Sequence, residues 1–154
     1  MNASDLREEI AIEIDSIERT LVEIAGLVRD VGEREPTARE VAAAGLFLAS
    51  FYNGIENVLK RIWAFHGLPL PHGDTWHIEL LKGFCDPPRE GLPRLLDAPL
   101  EADLAPYRRL RHVVRHAYGF QLRWDQLRPG LAGAQAIFTQ FRSRVEAHLR
   151  SLGA

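Results

Sequence analysis

The sequence predicts an all-α fold, a bundle of about five helices, and three observations predict it. Apolar residues recur at spacings of three and four over long stretches. Capping residues and Gly/Pro stops punctuate the chain at helix-sized intervals. No segment sustains the apolar/polar alternation of a half-buried strand.

Each element follows from this pattern. Leu6, Ile10, Ile14, Ile17, Leu21, Ile24 and Val28 form the stripe of a first amphipathic helix, with Ser4 as its expected N-cap and Gly32 and Pro36 as its stop. Thr37 opens a second helix, with Glu40 three residues on completing a capping box. Its stripe is Leu48, Tyr52, Ile55, Leu59 and Ile62, and Gly67-Leu-Pro69 ends it. A short third helix is expected from Asp74 or Thr75 to about Phe84, with Trp76 as a core anchor and His77 as its partly buried neighbour. Residues 85–99 hold four prolines and read as an irregular connection. The fourth helix is expected from about Asp103 to Tyr118, with Pro106 in its first turn. The fifth follows Pro129-Gly130 and carries Leu131, Ile137, Phe138, Phe141, Val145 and Leu149.

The 154 residues suit a single domain, 1–154, and a 46% hydrophobic, 26% charged composition is that of an ordinary globular chain. A lone cysteine excludes an internal disulfide framework and favours a reducing compartment. The acidic N-terminus lacks the order of a signal peptide, and no apolar run approaches a membrane span. The expected location is the cytoplasm, with no membrane partner. A net charge of −2 argues against nonspecific wrapping of nucleic acid, but the charge is uneven. Residues 1–40 hold eleven acids against five arginines, whereas 104–128 holds six arginines against Asp125 alone.

That basic segment carries the chemistry. Arg111-His-Val-Val-Arg-His116-Ala-Tyr118 sets a guanidinium, an imidazole and a phenol on one helix, in a stretch from Leu104 to Trp124 without any Asp or Glu. Arginine grips phosphate in a bidentate fork, and imidazole moves protons near neutral pH. With about 100° per residue and Leu110 at zero, Val114, Ala117 and Val113 complete an expected core stripe. Arg111, Arg115, Arg108, His112, His116 and Arg109 then fill the remaining arc with no carboxylate to pair with. Arg111 and His116 stand about 140° apart on that helix, too far to meet on an ideal helix alone. A second copy across a two-fold axis would present both to one groove. A polar line on the second helix, Asn53, Glu56, Asn57 and Lys60, is either a solvated face or brings Asn53 or Glu56 to this site. His112 and His116 have a spacing that also binds metal, which the surrounding cations disfavour. His66, His72 and His77 read as loop and cap residues, and no metal site is expected.

The string RRLRHVVRHAYGF resembles the signature of the HEPN superfamily, R-x(4–6)-H-x-Y, and within it the HepT-like ribonuclease toxins. The order of helices, with FYNGIENVLKRI on the second, agrees over nearly the whole chain. The resemblance implies a metal-independent ribonuclease without a cofactor, acting as a homodimer whose motif residues line a shared cleft. It implies a nucleotidyltransferase antitoxin as partner, which uses ATP and in some members transfers AMP to the motif tyrosine. By position, Arg111 and His116 would be catalytic and Tyr118 the AMP acceptor, with Arg115, His112, Asn53 and Glu56 in support. Two copies of His116 would divide the acid and base roles in cutting RNA. The alternatives are a non-catalytic helical partner that presents nucleotide or substrate to a nucleotidyltransferase, and a helical dimerisation domain without a ligand.

Overall fold

A computed structural model describes residues 1–153, which form five α-helices, one 3₁₀ turn and no strand. The helices are α1 (Ala3–Val31), α2 (Ala38–Phe65), α3 (Trp76–Lys82), α4 (Ala98–His116) and α5 (Trp124–Ser151), with the 3₁₀ turn at Gly119–Gln121. The expected all-α bundle is what the chain forms. No helix among these residues is long and apolar enough to cross a membrane.

α1 and α2 form an antiparallel hairpin. Arg61 of α2 reaches Glu9 at 2.9 Å and Glu13 at 3.2 Å, and Asn57 donates to Glu13 at 3.2 Å. Further along the hairpin the backbones approach closely. A Cβ on Gly54 would sit 2.4 Å from Ile17 Cγ1, so only glycine fits that crossing. α2 is the central element and packs on every other helix. Its expected stripe is fully buried, and Phe51, Val58 and Trp63 are buried beside it. Each such side chain contributes about 2 kcal/mol by leaving water. The capping box of Thr37 and Glu40 forms as the sequence predicts.

Several boundaries differ from expectation, each for a local reason. Asn2, not Ser4, caps α1, through a reciprocal box with Asp5. The stripe of α1 rotates toward its end onto Leu27 and Val31, leaving Val28 42% exposed. α3 spans only Trp76–Lys82, and Thr75 makes no side-chain cap. Trp76 is only partly buried, and the aromatic anchor is instead Trp63, edge-on to Phe84 at 5.9 Å.

α4 begins at Ala98, not Asp103. Asp97 caps it by accepting from the Leu100 amide at 3.0 Å, and Pro99 takes the first turn. Pro106 therefore lies inside the helix. α5 likewise begins at Trp124, upstream of Pro129-Gly130. Gly130 serves packing instead of a stop: the Tyr107 hydroxyl donates to its carbonyl at 2.7 Å, and a Cβ there would crowd Leu48 at 3.3 Å. At the other end α4 stops at His116, so Tyr118 lies beyond the helix.

Candidate functional site: a cationic concavity between α3 and α4

The longer α4 changes which face is buried. Its core residues are Leu100, Leu104 and Tyr107, with Leu110 partly buried. On the wheel that has Leu110 at zero these stand at about 80°, 120° and 60°. Arg111, at about 100°, thus points inward among them, and Val113, at about 300°, points out. The expectation of Val113 as core is corrected: it is 48% exposed.

Arg111 is only 12% exposed along its side chain, and it has a carboxylate to pair with. That carboxylate is Glu56 of α2, the one buried charged residue among those described, at 1% exposure. Glu56 stands on the buried face of α2, four residues after Tyr52 and three before Leu59. Its Oε1 lies 3.3 Å from Arg111 Nε, an ionic contact without the alignment of a hydrogen bond. Its Oε2 lies 2.7 Å from Nδ1 of His77 on α3. Arg111 Nη1 closes the triangle at 3.3 Å from both ring nitrogens of His77. A carboxylate at Nδ1 selects the tautomer with the proton there, which leaves Nε2 as an acceptor. Burying an unpaired charge is prohibitive, so these three side chains hold α2, α3 and α4 in one register.

Around this knot, the Trp76 ring lies against that of His77, tilted by 34° with ring centres 3.4 Å apart, and the Lys60 ammonium lies 4.3 Å from the Trp76 ring. The Tyr52 hydroxyl is buried without a partner. Burial, reinforced by the Glu56 charge, pushes its phenol above the usual range.

Arg111 and His116 share a concavity of about 270 Å³, lined also by Arg108, His112, Arg115, His77, Ile78 and Asp74. The 140° between them is bridged because α3 and the loop before it supply a facing wall. The second wall sought in another copy is therefore partly present in this chain. His112 and His116 lie with ring centres 4.5 Å apart. Among the described residues, no carboxylate comes within ion-pair distance of Arg108, Arg115, His112 or His116.

The other expected site residues divide. Asn53 is exposed and does not line this concavity. Tyr118 is 71% exposed and stacks on Phe120, with ring centres 5.6 Å apart and planes 3° from parallel. It too lies outside the concavity, because Ala117 is extended and takes the chain off the helix. The expectation that its phenol shares one helix with Arg111 and His116 is therefore corrected. His77 is partly buried on the third helix, as expected, but its place at this site is what the loop-and-cap reading missed. Its signal was Glu56, a charge on an apolar stripe that requires partners from other helices. A larger groove of about 570 Å³ between α1 and α5 is bridged by Arg142 with Glu18 and Glu146, and offers no comparable cluster of unpaired cations. Among the described residues no three His, Cys, Asp or Glu side chains gather as a metal site would require.

Neither the curated proteins nor the solved structures compared with the chain give a match. A family model described as HepT-like protein matches residues 43–152, which takes in α3, α4, α5 and nearly all of α2. The chain belongs to the HepT-like family.

Proposed function

We propose that the protein is a metal-independent endoribonuclease, the toxin of a toxin–antitoxin pair, acting in the cytoplasm as a homodimer. The observation that carries this reading is the concavity where Arg111, His116, His112, Arg115 and Arg108 converge with Asp74 as its one carboxylate. Membership of the HepT-like family supports it. RNA supplies its own nucleophile, the 2′-hydroxyl, so the protein needs to grip phosphate and move protons. Arg111, with Arg115 and Arg108, binds the phosphate and offsets charge that grows in the transition state. His116, as imidazolium, protonates the departing 5′-oxygen. Pairing of two chains closes the cleft over the RNA through the exposed apolar residues beside the site, Val113, Tyr118 and Phe120.

The antitoxin is a nucleotidyltransferase that uses ATP. The Tyr118 oxygen attacks the α-phosphorus of ATP, an O–P bond forms, and pyrophosphate leaves. The exposure of Tyr118 supports this step. Tyr118 lies outside the concavity, so the added AMP acts where the two chains pair, by bulk and negative charge.

One observation favours a second reading. Arg111 is already paired with Glu56, which leaves less of its charge to offset the charge that grows in a cleavage transition state. The chain would then be a non-catalytic helical partner that presents nucleotide to a nucleotidyltransferase.

The purified protein, incubated with RNA in EDTA, separates the two. The first reading expects fragments with 2′,3′-cyclic phosphate and 5′-hydroxyl ends, no cleavage of DNA, and a loss of roughly 10²–10⁴-fold in His116→Ala. Nucleotide retention by wild-type protein without any cleavage would refute it.

A further inference from the structure

We infer that His77 is a catalytic residue, the general base that takes the 2′-hydroxyl proton, and that Glu56 is the residue that positions it. This rests on the ribonuclease reading and names the missing half of its proton traffic. Cleavage needs two proton carriers: one removes a proton from the 2′-oxygen and the other gives one to the 5′-oxygen. The motif on α4 supplies His116. His112 and His77 are the other imidazoles of the same concavity, and of the two only His77, contributed by α3, has a carboxylate to orient its ring.

The geometry is that of an oriented base. Nδ1 donates to a carboxylate 2.7 Å away that is itself 1% exposed. Such a carboxylate fixes the ring and stabilises the imidazolium as it forms. Nε2 is left as the proton acceptor, and the ring keeps 24% of its side-chain surface exposed. In the free protein Arg111 Nη1 sits 3.3 Å from Nε2. A phosphate is a far better partner for guanidinium than a neutral ring nitrogen. Substrate therefore draws Nη1 of Arg111 onto the phosphate while Nε stays on Glu56, and uncovers His77 Nε2 beside it, where the neighbouring ribose hydroxyl arrives.

The step balances. His77 Nε2 takes the 2′-hydroxyl proton, the 2′-oxygen forms a bond to phosphorus, the P–O5′ bond breaks, and His116 gives its proton to the 5′-oxygen. The products are a 2′,3′-cyclic phosphate and a 5′-hydroxyl. His77 leaves protonated and His116 neutral, and exchange with water restores both. Acid and base then lie within one protomer, so a second copy of His116 is not required as a proton carrier.

The test uses the full-length chain and an RNA oligonucleotide with a bridging 5′-phosphorothiolate at the cleaved link, whose sulfur departs without a proton. His116→Ala is expected to regain cleavage of this substrate to within about tenfold of wild type. His77→Ala and His77→Asn are expected to stay slowed by roughly 10²–10⁴-fold on both the oxygen and the sulfur substrates. The asparagine variant keeps a donor toward Glu56 without a basic nitrogen, so its fold, followed by circular dichroism, is retained even if the alanine variant loosens. Wild-type rates in His77→Asn, or recovery of His77→Ala on the sulfur substrate, would overturn the assignment of His77 alone. Wild-type protein inert toward RNA would instead overturn the ribonuclease reading, and this assignment with it.

Discussion

Glu56 is the residue on which the local energetics turn. A carboxylate at 1% exposure is tolerable only with a counter-charge and a hydrogen-bond donor, and Arg111 and His77 supply them. Glu56→Ala leaves Arg111 largely buried and unpaired, and is expected to lower unfolding free energy by about 3 kcal/mol. Urea denaturation checks this, and a loss smaller than about 0.5 kcal/mol would show that the triangle carries no stability. Glu56→Gln keeps the side-chain shape and is expected to lose less. At this scale the motif was legible: Arg111, His112, Arg115 and His116 were picked out by type and spacing, and they do converge. Their orientation was not legible. A wheel centred on Leu110 omitted Leu100 and Leu104, which set the buried face and put Arg111 within it. Glu56 was recognised as one of two options for reaching α4, and His77 was missed because its role depends on a contact 21 positions away in sequence.

At the scale of the helices, the errors of boundary share one cause. Pro106 and Pro129 were read as marks of helix starts, since an interior proline forgoes a backbone hydrogen bond. Both are exposed, and so are Ala102 and Asp125, whose carbonyls the missing N–H groups would have bonded. Exposure leaves those carbonyls open to solvent, which lowers the cost of the missing bond, and the helices continue through. By contrast the stripes of α1, α2 and α5 were legible almost residue by residue, because burial on one face imposes its period on the sequence. One contact between helices is sensitive to pH. His66, the C-cap of α2, meets His148 of α5 with Nε2 atoms 3.1 Å apart. Burial lowers the pKa of both below 6.5, and for His148 the neighbouring His66 adds to the effect. A depressed histidine pKa means that the unfolded chain binds more protons. Stability is therefore full above about 6.5 and falls as pH drops through the folded-state values. Thermal midpoints at pH 7.5 and pH 5.5 are expected to differ less in His148→Leu than in wild type; equal slopes would show that the pair does not titrate with folding.

For the whole molecule, the uneven charge is placed usefully. Glu9 and Glu13 of α1 meet α2 through Arg61 and Asn57, while Arg108, Arg111 and Arg115 of α4 line the concavity. Beside that concavity Val113, Tyr118 and Phe120 leave apolar surface uncovered. If that surface closes the proposed dimer, sedimentation should give twice the chain mass of 17.4 kDa. Phe120→Asp is then expected to shift the equilibrium toward the monomer, and a monomeric wild type would remove the dimer from the mechanism.

The triangle of Glu56, His77 and Arg111 draws one side chain from each of three helices. None of the three has its partners until α2, α3 and α4 have docked. A nascent or half-folded chain consequently carries the motif in its sequence without the assembled grip. The grip is complete only when the last of these three helices docks, so the proposed cleavage would wait on tertiary assembly and not on the motif helix alone.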